Sequence, residues 1–221
     1  CHRASPDPQM GIPPVPEFWI KADVLLPDVE TAHIADGSVD DRDLPVVAVV
    51  DAQVQRTQQG REKHRRPDAA ALQLLPRLLM QFQVIHICGK GNLDESLIGT
   101  SGYVQYEYVD APLKHLFAAA DLVISRAGAN SICEILALRK PNLLIPLSAS
   151  ASRGDQILNA NSFAKQGFSS VLEEENLTDD SLFQAISDLY NNRQSYIDAM
   201  ECSNQGNAVK TIIDLIESLT A

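Results

Sequence analysis

From Gln83 onward, short apolar runs alternate with segments of helical periodicity. Val84–Cys88 is continuous and rich in β-branched residues, the pattern of a strand covered on both faces. Tyr103–Val109 alternates and reads as a second strand, Leu122–Ser125 as a third, Asn142–Leu147 as a fourth and Ser169–Leu172 as a last, short one. Helical patterns fall between them. Leu113–Ala120 follows Pro112. A second runs to Leu138 from a cap at Asn130 or Ser131, and a third, Ile157–Gln166, ends at Gly167. Further helices are expected at Thr178–Tyr190, Arg193–Cys202 and Ala208–Leu219.

Connections this long are crossovers rather than hairpins. The expected fold class is therefore α/β, a Rossmann-like parallel sheet with flanking helices. Such a sheet binds ligands at the carboxyl ends of its strands. Three loops lie there: Gly89–Asn92, Ser125–Asn130 and Ser148–Gln156.

The first 83 residues carry a weaker pattern. Leu44–Val50 reads as a strand, and Ala69–Phe82 as a helix broken or started near Pro76. Between them Asp51–Arg66 is polar, with a basic cluster at Arg61–Arg66 read as a solvated loop. Nine of the twelve prolines precede Val84, and residues 1–43 are assigned no regular elements. The expected division is an irregular Pro-rich segment, 1–43, and a Rossmann-like domain, 44–221, legible best over 82–221.

Composition narrows the classes. With 18 basic against 29 acidic residues the net charge is −11, which argues against a broad nucleic-acid-binding surface. No apolar run has the length of a membrane-spanning helix. The four cysteines, Cys1, Cys88, Cys133 and Cys202, form no CxxC pair, and no His or Cys lies at zinc-ligand spacing. Buried free thiols are expected at Cys88 and Cys133, in a reducing compartment. His86 is expected as a satisfied core histidine and His115 as an exposed one.

The candidate chemistry lies in the loops. In Ser125-Arg126-Ala127-Gly128-Ala129-Asn130-Ser131, glycine and small neighbours let a ligand approach the backbone, and amides at a helix start suit a phosphate or pyrophosphate. An ordinary strand–helix turn needs glycine just as often. Glu134, about one turn into that helix, can accept hydrogen bonds from vicinal hydroxyls, and a carboxylate is also favoured there by the helix dipole. Asp155, Gln156 and Asn159 offer sugar-reading groups at another helix start, where plain capping is the alternative.

Together these segments resemble the MurG-type glycosyltransferases. The resemblance rests on Ala119–Glu134, which contains Ser125-Arg126-Ala127-Gly128-Ala129-Asn130-Ser131-Ile132-Cys133-Glu134, then Pro141–Leu147, then Gly154-Asp155-Gln156-Ile157-Leu158-Asn159-Ala160, in order and at the family's spacing. It covers Phe82 to the C-terminus. It implies the C-terminal, donor-binding half of a GT-B enzyme, two Rossmann-like domains with the active site between them. The implied reaction moves GlcNAc from UDP-GlcNAc to a lipid-linked muramyl-pentapeptide in peptidoglycan synthesis. It is inverting and needs neither metal nor cofactor.

By position, the resemblance gives Glu134 the ribose hydroxyls and Val109 the uracil. Gly128, Ala129, Asn130 and Ser131 flank the diphosphate and sugar, Asp155 and Gln156 read GlcNAc hydroxyls, and Asn159 supports their loop. The implied partners are UDP-GlcNAc and a lipid-linked acceptor, held by an N-terminal domain that is missing or separate, and no nucleic acid. The implied location is cytoplasmic, peripheral at the inner face of the cell membrane. The sequence departs from the pattern in two places. Val46–Val50 leads into Asp51-Ala52-Gln53-Val54-Gln55 rather than a glycine-rich phosphate loop, and Gly11–Phe18 lacks the family's interdomain arginine. An enzyme of this type, whole or as a fragment with the donor-binding half intact, is the first reading. A donor-binding subunit of a split transferase and a non-catalytic sugar-nucleotide-binding module are the alternatives.

Overall fold

The computed structural model describes residues 44–50, 67–109, 113–149, 153–203 and 216–218. The expectations for residues 1–43, for the polar stretch 51–66 and for most of the last helix lie outside the described residues.

The described chain runs β1 (Val46–Val50), α1 (Pro67–Leu78), β2 (Gln83–Ile87), β3 (Tyr103–Tyr106), α2 (Leu113–Ala119), β4 (Leu122–Ser125) and α3 (Ala129–Ala137). It continues through β5 (Asn142–Leu144), α4 (Asp155–Lys165), β6 (Ser170–Val171), α5 (Asp179–Asn191) and α6 (Arg193–Glu201). The six strands form one sheet in the order β3-β2-β1-β4-β5-β6, every pair parallel. This is the doubly wound dinucleotide-fold order, whose direction reverses between β1 and β4. In register, Tyr106, Ile87, Val50, Ser125, Leu144 and Val171 form one row across its carboxyl end.

Alternation along the strands sends side chains into two cores. On one face Val47, Val49, Leu122, Ile124 and Leu143 meet Leu74 and Leu78 of α1 and Leu182, Ile186 and Leu189 of α5. On the other, Ala48, Val50, Ile85 and Val123 meet Leu116 and Phe117 of α2 and Ile135 of α3. A smaller cluster under α4 joins Ala127, Ile132, Leu144 and Ala160. Burial on both faces is why β1 is wholly apolar and β2 and β4 are mostly so, with Gln83, His86 and Ser125 the buried polar exceptions.

Several boundaries differ from the sequence expectation. The helix near Pro76 is not broken there: it starts at Pro67, where a proline's missing N–H costs nothing, and runs past Pro76 on its exposed side. β3 stops at Tyr106, three residues before Val109, because β2 turns away at Gly89 after Cys88 N–H donates to Tyr106 O. β5 stops at Leu144, with one more bond from Ile145 N–H to Ser125 O, because Pro146 has no N–H to continue the ladder. His86 is buried, its Nδ1 2.9 Å from the Tyr103 hydroxyl. His115 is half-buried rather than exposed. Cys88 is buried, but Cys133 is exposed, since the inward face of α3 runs through Ile132 and Ile135.

Candidate functional site

The β4–α3 turn leaves the sheet next to the switch point. Residue 132 N–H donates to Gly128 O, which makes Gly128 the N-cap, with no side chain capping it. Asn130 and Ser131 therefore sit inside the first turn of α3 and do not cap it. The amides of Ala129, Asn130 and Ser131 are the ones an α-helix leaves without carbonyl partners. They stand at the carboxyl edge of the sheet with the positive end of the helix dipole. Gly128 has an ordinary backbone (φ −69°, ψ 141°), and a methyl built on it would meet nothing closer than Ser131 Oγ at 3.9 Å. The fold itself does not require glycine at this position.

Glu134 lies on the exposed side of α3, and its carboxylate has no hydrogen bond or ion pair among the described residues. Val109 is buried in the cluster that also holds Val50, Tyr106 and Ile135, so it lies under the same end of the sheet as Glu134's helix.

The next strand delivers a second helix N-terminus. Gly154 adopts a left-handed conformation (φ 84°) and caps α4, so Asp155 is the first helical residue, exposed at the positive end of the dipole. Gln156 is buried, and its Oε1 accepts from Leu147 N–H at 3.1 Å. Asn159, one turn on, donates from Nδ2 to Ala127 O at 3.1 Å. That bond ties α4 to the β4–α3 turn across 32 residues of sequence. Gly128–Ser131, Gln156 and Asn159 thus belong to one connected surface. Asp155 projects from the same helix start, and among the described residues no hydrogen bond or ion pair joins its side chain, or Val109's, to the others.

Sequence reasoning missed the group that underlies this surface. Arg126 and Glu174 form a buried ion pair, Nη2 to Oε1 at 3.0 Å, with side chains only 4% and 6% exposed. Arg126 Nη1 also donates to Ile145 O at 3.2 Å, and Glu174 Oε2 accepts from Ser148 N–H at 3.1 Å. The available signal was weak: an arginine directly after a buried strand, which requires a buried anion only once the guanidinium is itself buried, as it is here. Beside it, a cavity of about 210 Å³ is lined by Leu147, Ser148, Ile157, Glu173 and Glu175, among others. That is smaller than the roughly 300–1,000 Å³ of an enclosing ligand pocket, so a nucleotide sugar would lie mainly along the open edge. No group of three or more His, Cys, Asp or Glu placed to hold a metal occurs among the described residues. Nor is any described helix long and apolar enough to cross a membrane.

This arrangement can be set beside known proteins. The family model for the glycosyltransferase family 28 C-terminal domain matches residues 47–216. A curated protein of Lachnoclostridium phytofermentans, UDP-N-acetylglucosamine–N-acetylmuramyl-(pentapeptide) pyrophosphoryl-undecaprenol N-acetylglucosamine transferase, is 63% identical over 150 residues, 68% of this chain and 42% of its own length. The transferase of the same name from Lachnospira eligens is 57% identical over 148 residues, 67% of this chain and 42% of its own. The chain thus spans well under half the length of these relatives. The crystal structure of Acinetobacter baumannii MurG superposes with a TM-score of 0.58 over 80% of this chain and 50% of that one, at 23% identity, a likeness of fold. With its doubly wound sheet and a match over most of its length, the chain belongs to glycosyltransferase family 28 and carries that family's C-terminal domain.

Proposed function

We propose that this chain is the donor-binding half of a GlcNAc transferase of peptidoglycan synthesis. It takes UDP-GlcNAc as donor and passes the sugar to a lipid-linked muramyl-pentapeptide held by an N-terminal acceptor domain, in the same or another chain. Residues 44–221 form the donor domain, distinct from the Pro-rich segment 1–43. The protein works peripherally at the inner face of the cell membrane. The observation that carries the reading is the pair of helix N-termini at the carboxyl edge, α3 and α4, joined by the Asn159–Ala127 bond and flanked by the unpaired Glu134 carboxylate.

In this reading uracil rests against Val109 and the ribose hydroxyls donate to Glu134. The amides of Gly128, Ala129, Asn130 and Ser131 face the diphosphate, and Asp155 with the free amide end of Gln156 reads the GlcNAc hydroxyls. Asn159 holds the two loops at a fixed separation. The acceptor's hydroxyl oxygen attacks the anomeric carbon as the bond to the diphosphate oxygen breaks, inverting the centre and releasing UDP. Charge builds on the leaving diphosphate, where amides already oriented by the fold stabilise it without reorganising. The geometry favours catalysis by positioning and charge stabilisation, with the acceptor's proton taken up by a base outside these residues.

Calorimetric titration with UDP-GlcNAc tests this. The chain is expected to bind, and Glu134→Ala to weaken binding by roughly 10-fold or more, about the 1.5–3 kcal/mol of hydrogen bonds to a charged group. Unchanged affinity in the variant would remove Glu134 from the ribose.

A further inference from the structure

Glu174 stands outside both loops that the donor reading uses, in the turn after β6, yet it holds them both. Its Oε1 takes Arg126 Nη2 at 3.0 Å, two residues before Gly128, and its Oε2 takes the Ser148 amide at 3.1 Å, at the start of the β5–α4 loop. Arg126 returns a second bond to Ile145 O at 3.2 Å, so the guanidinium spans β4 and β5 as well. Every one of these contacts is buried. A buried ion pair is poor evidence for stability, because an apolar pair of similar volume often does as well or better. What an apolar pair lacks is direction: it cannot accept from the Ser148 amide or fix the angle at which the chain enters Gly128.

We propose that the buried Arg126–Glu174 pair is a positioning strut that sets the spacing between the β4–α3 turn and the β5–α4 loop, and so between the diphosphate and hexose ends of the bound donor. The inference rests on the donor reading above. Asn159 and Gln156 brace the same two loops from α4, through Ala127 O and Leu147 N–H. Arg126 and Glu174 brace them independently of α4, from just beyond the carboxyl ends of β4 and β6. Neither strut residue touches the donor. Loss of the strut leaves the uridine end, on Val109 and Glu134, in place and misaligns the hexose end.

The test uses the whole 221-residue chain, with UMP and UDP-GlcNAc titrated into wild type, Glu174→Gln and the double variant Arg126→Met/Glu174→Leu. Glu174→Gln is expected to weaken UDP-GlcNAc at least tenfold while changing UMP less than threefold. The double variant removes both charges together but leaves the buried Ser148 N–H and Ile145 O without these partners; it is expected to stay folded, melting within about 10 °C of wild type, and to keep the tenfold UDP-GlcNAc deficit. Recovery of wild-type UDP-GlcNAc affinity in the double variant would overturn the proposal, as would equal losses for the two nucleotides in either variant. If Glu174→Gln fails to fold, the double variant decides alone. Failure of wild type to bind either nucleotide would instead sink the donor reading. The Ser148 amide, measured by hydrogen exchange without ligand, then decides the strut: exchange at least tenfold faster in either variant supports it, and an unchanged rate overturns it.

Discussion

Gly128→Ala separates what the fold needs from what a ligand needs. The backbone at Gly128 lies in the extended region open to any residue, and the added methyl meets only Ser131 Oγ at 3.9 Å, an ordinary contact. Losing glycine as N-cap costs a few tenths to about 1 kcal/mol, whereas restricting the unfolded chain returns about 0.4–1 kcal/mol. The two nearly cancel, so stability by urea unfolding should change by less than about 0.5 kcal/mol. Donor affinity should not be spared. A methyl placed where a diphosphate approaches the backbone costs about 1–3 kcal/mol by analogy with overpacking in a core, roughly a 5- to 150-fold loss by titration. Gly154→Ala is the counterpart: its surroundings are open, but φ is 84°, so the strain is in the backbone and stability should fall by about 1–2 kcal/mol. Wild-type UDP-GlcNAc affinity in Gly128→Ala would refute the approach of a ligand to this turn.

Two further outcomes follow from buried polar groups. Asn159→Leu strips Ala127 O, on a fully buried residue, of its half-buried donor, and should cost about 1–2 kcal/mol in urea unfolding besides loosening the donor loops. The Tyr106 hydroxyl is buried without a hydrogen-bond partner, so Tyr106→Phe should stabilise the fold by up to about 1 kcal/mol at neutral pH. Burial pushes the Tyr106 phenol up to about 12, above its ordinary value of 10.0. The folded state thus holds this proton more tightly than the unfolded one, and the associated stability is present below pH 10 and lost as pH rises toward 12. Unfolding curves across that window should show wild type losing more stability than Tyr106→Phe.

Much of the sheet was legible because its strands are buried on both faces. Val84–Ile87 and Leu122–Ser125 announce themselves as apolar runs, and the crossovers between them dictate parallel pairing. Strand order was not legible, since it depends on which helix covers which face. Strand ends failed where a neighbour decides them: β3 ends when β2 leaves, whatever the alternation of Tyr103–Val109 promises. Helix entry failed at α3, where Asn130 and Ser131 look like caps but Gly128 O closes the first turn. The loops of the candidate site stood out as small and polar between buried strands. What holds them did not, because Glu174 lies 48 residues from Arg126, in a run of three glutamates that reads as a solvated surface. Of that run only Glu174 is buried, while Glu173 and Glu175 line the cavity on either side.

The central claim, that the carboxyl edge between α3 and α4 holds a nucleotide sugar, is tested most directly by residue-resolved hydrogen exchange with and without saturating UDP-GlcNAc. Slowed exchange is expected to concentrate in Gly128–Ser131 and Gly154–Asn159, with α5 and α6 unchanged. Saturation with no protection in either segment, or protection confined to α5 and α6, would contradict it.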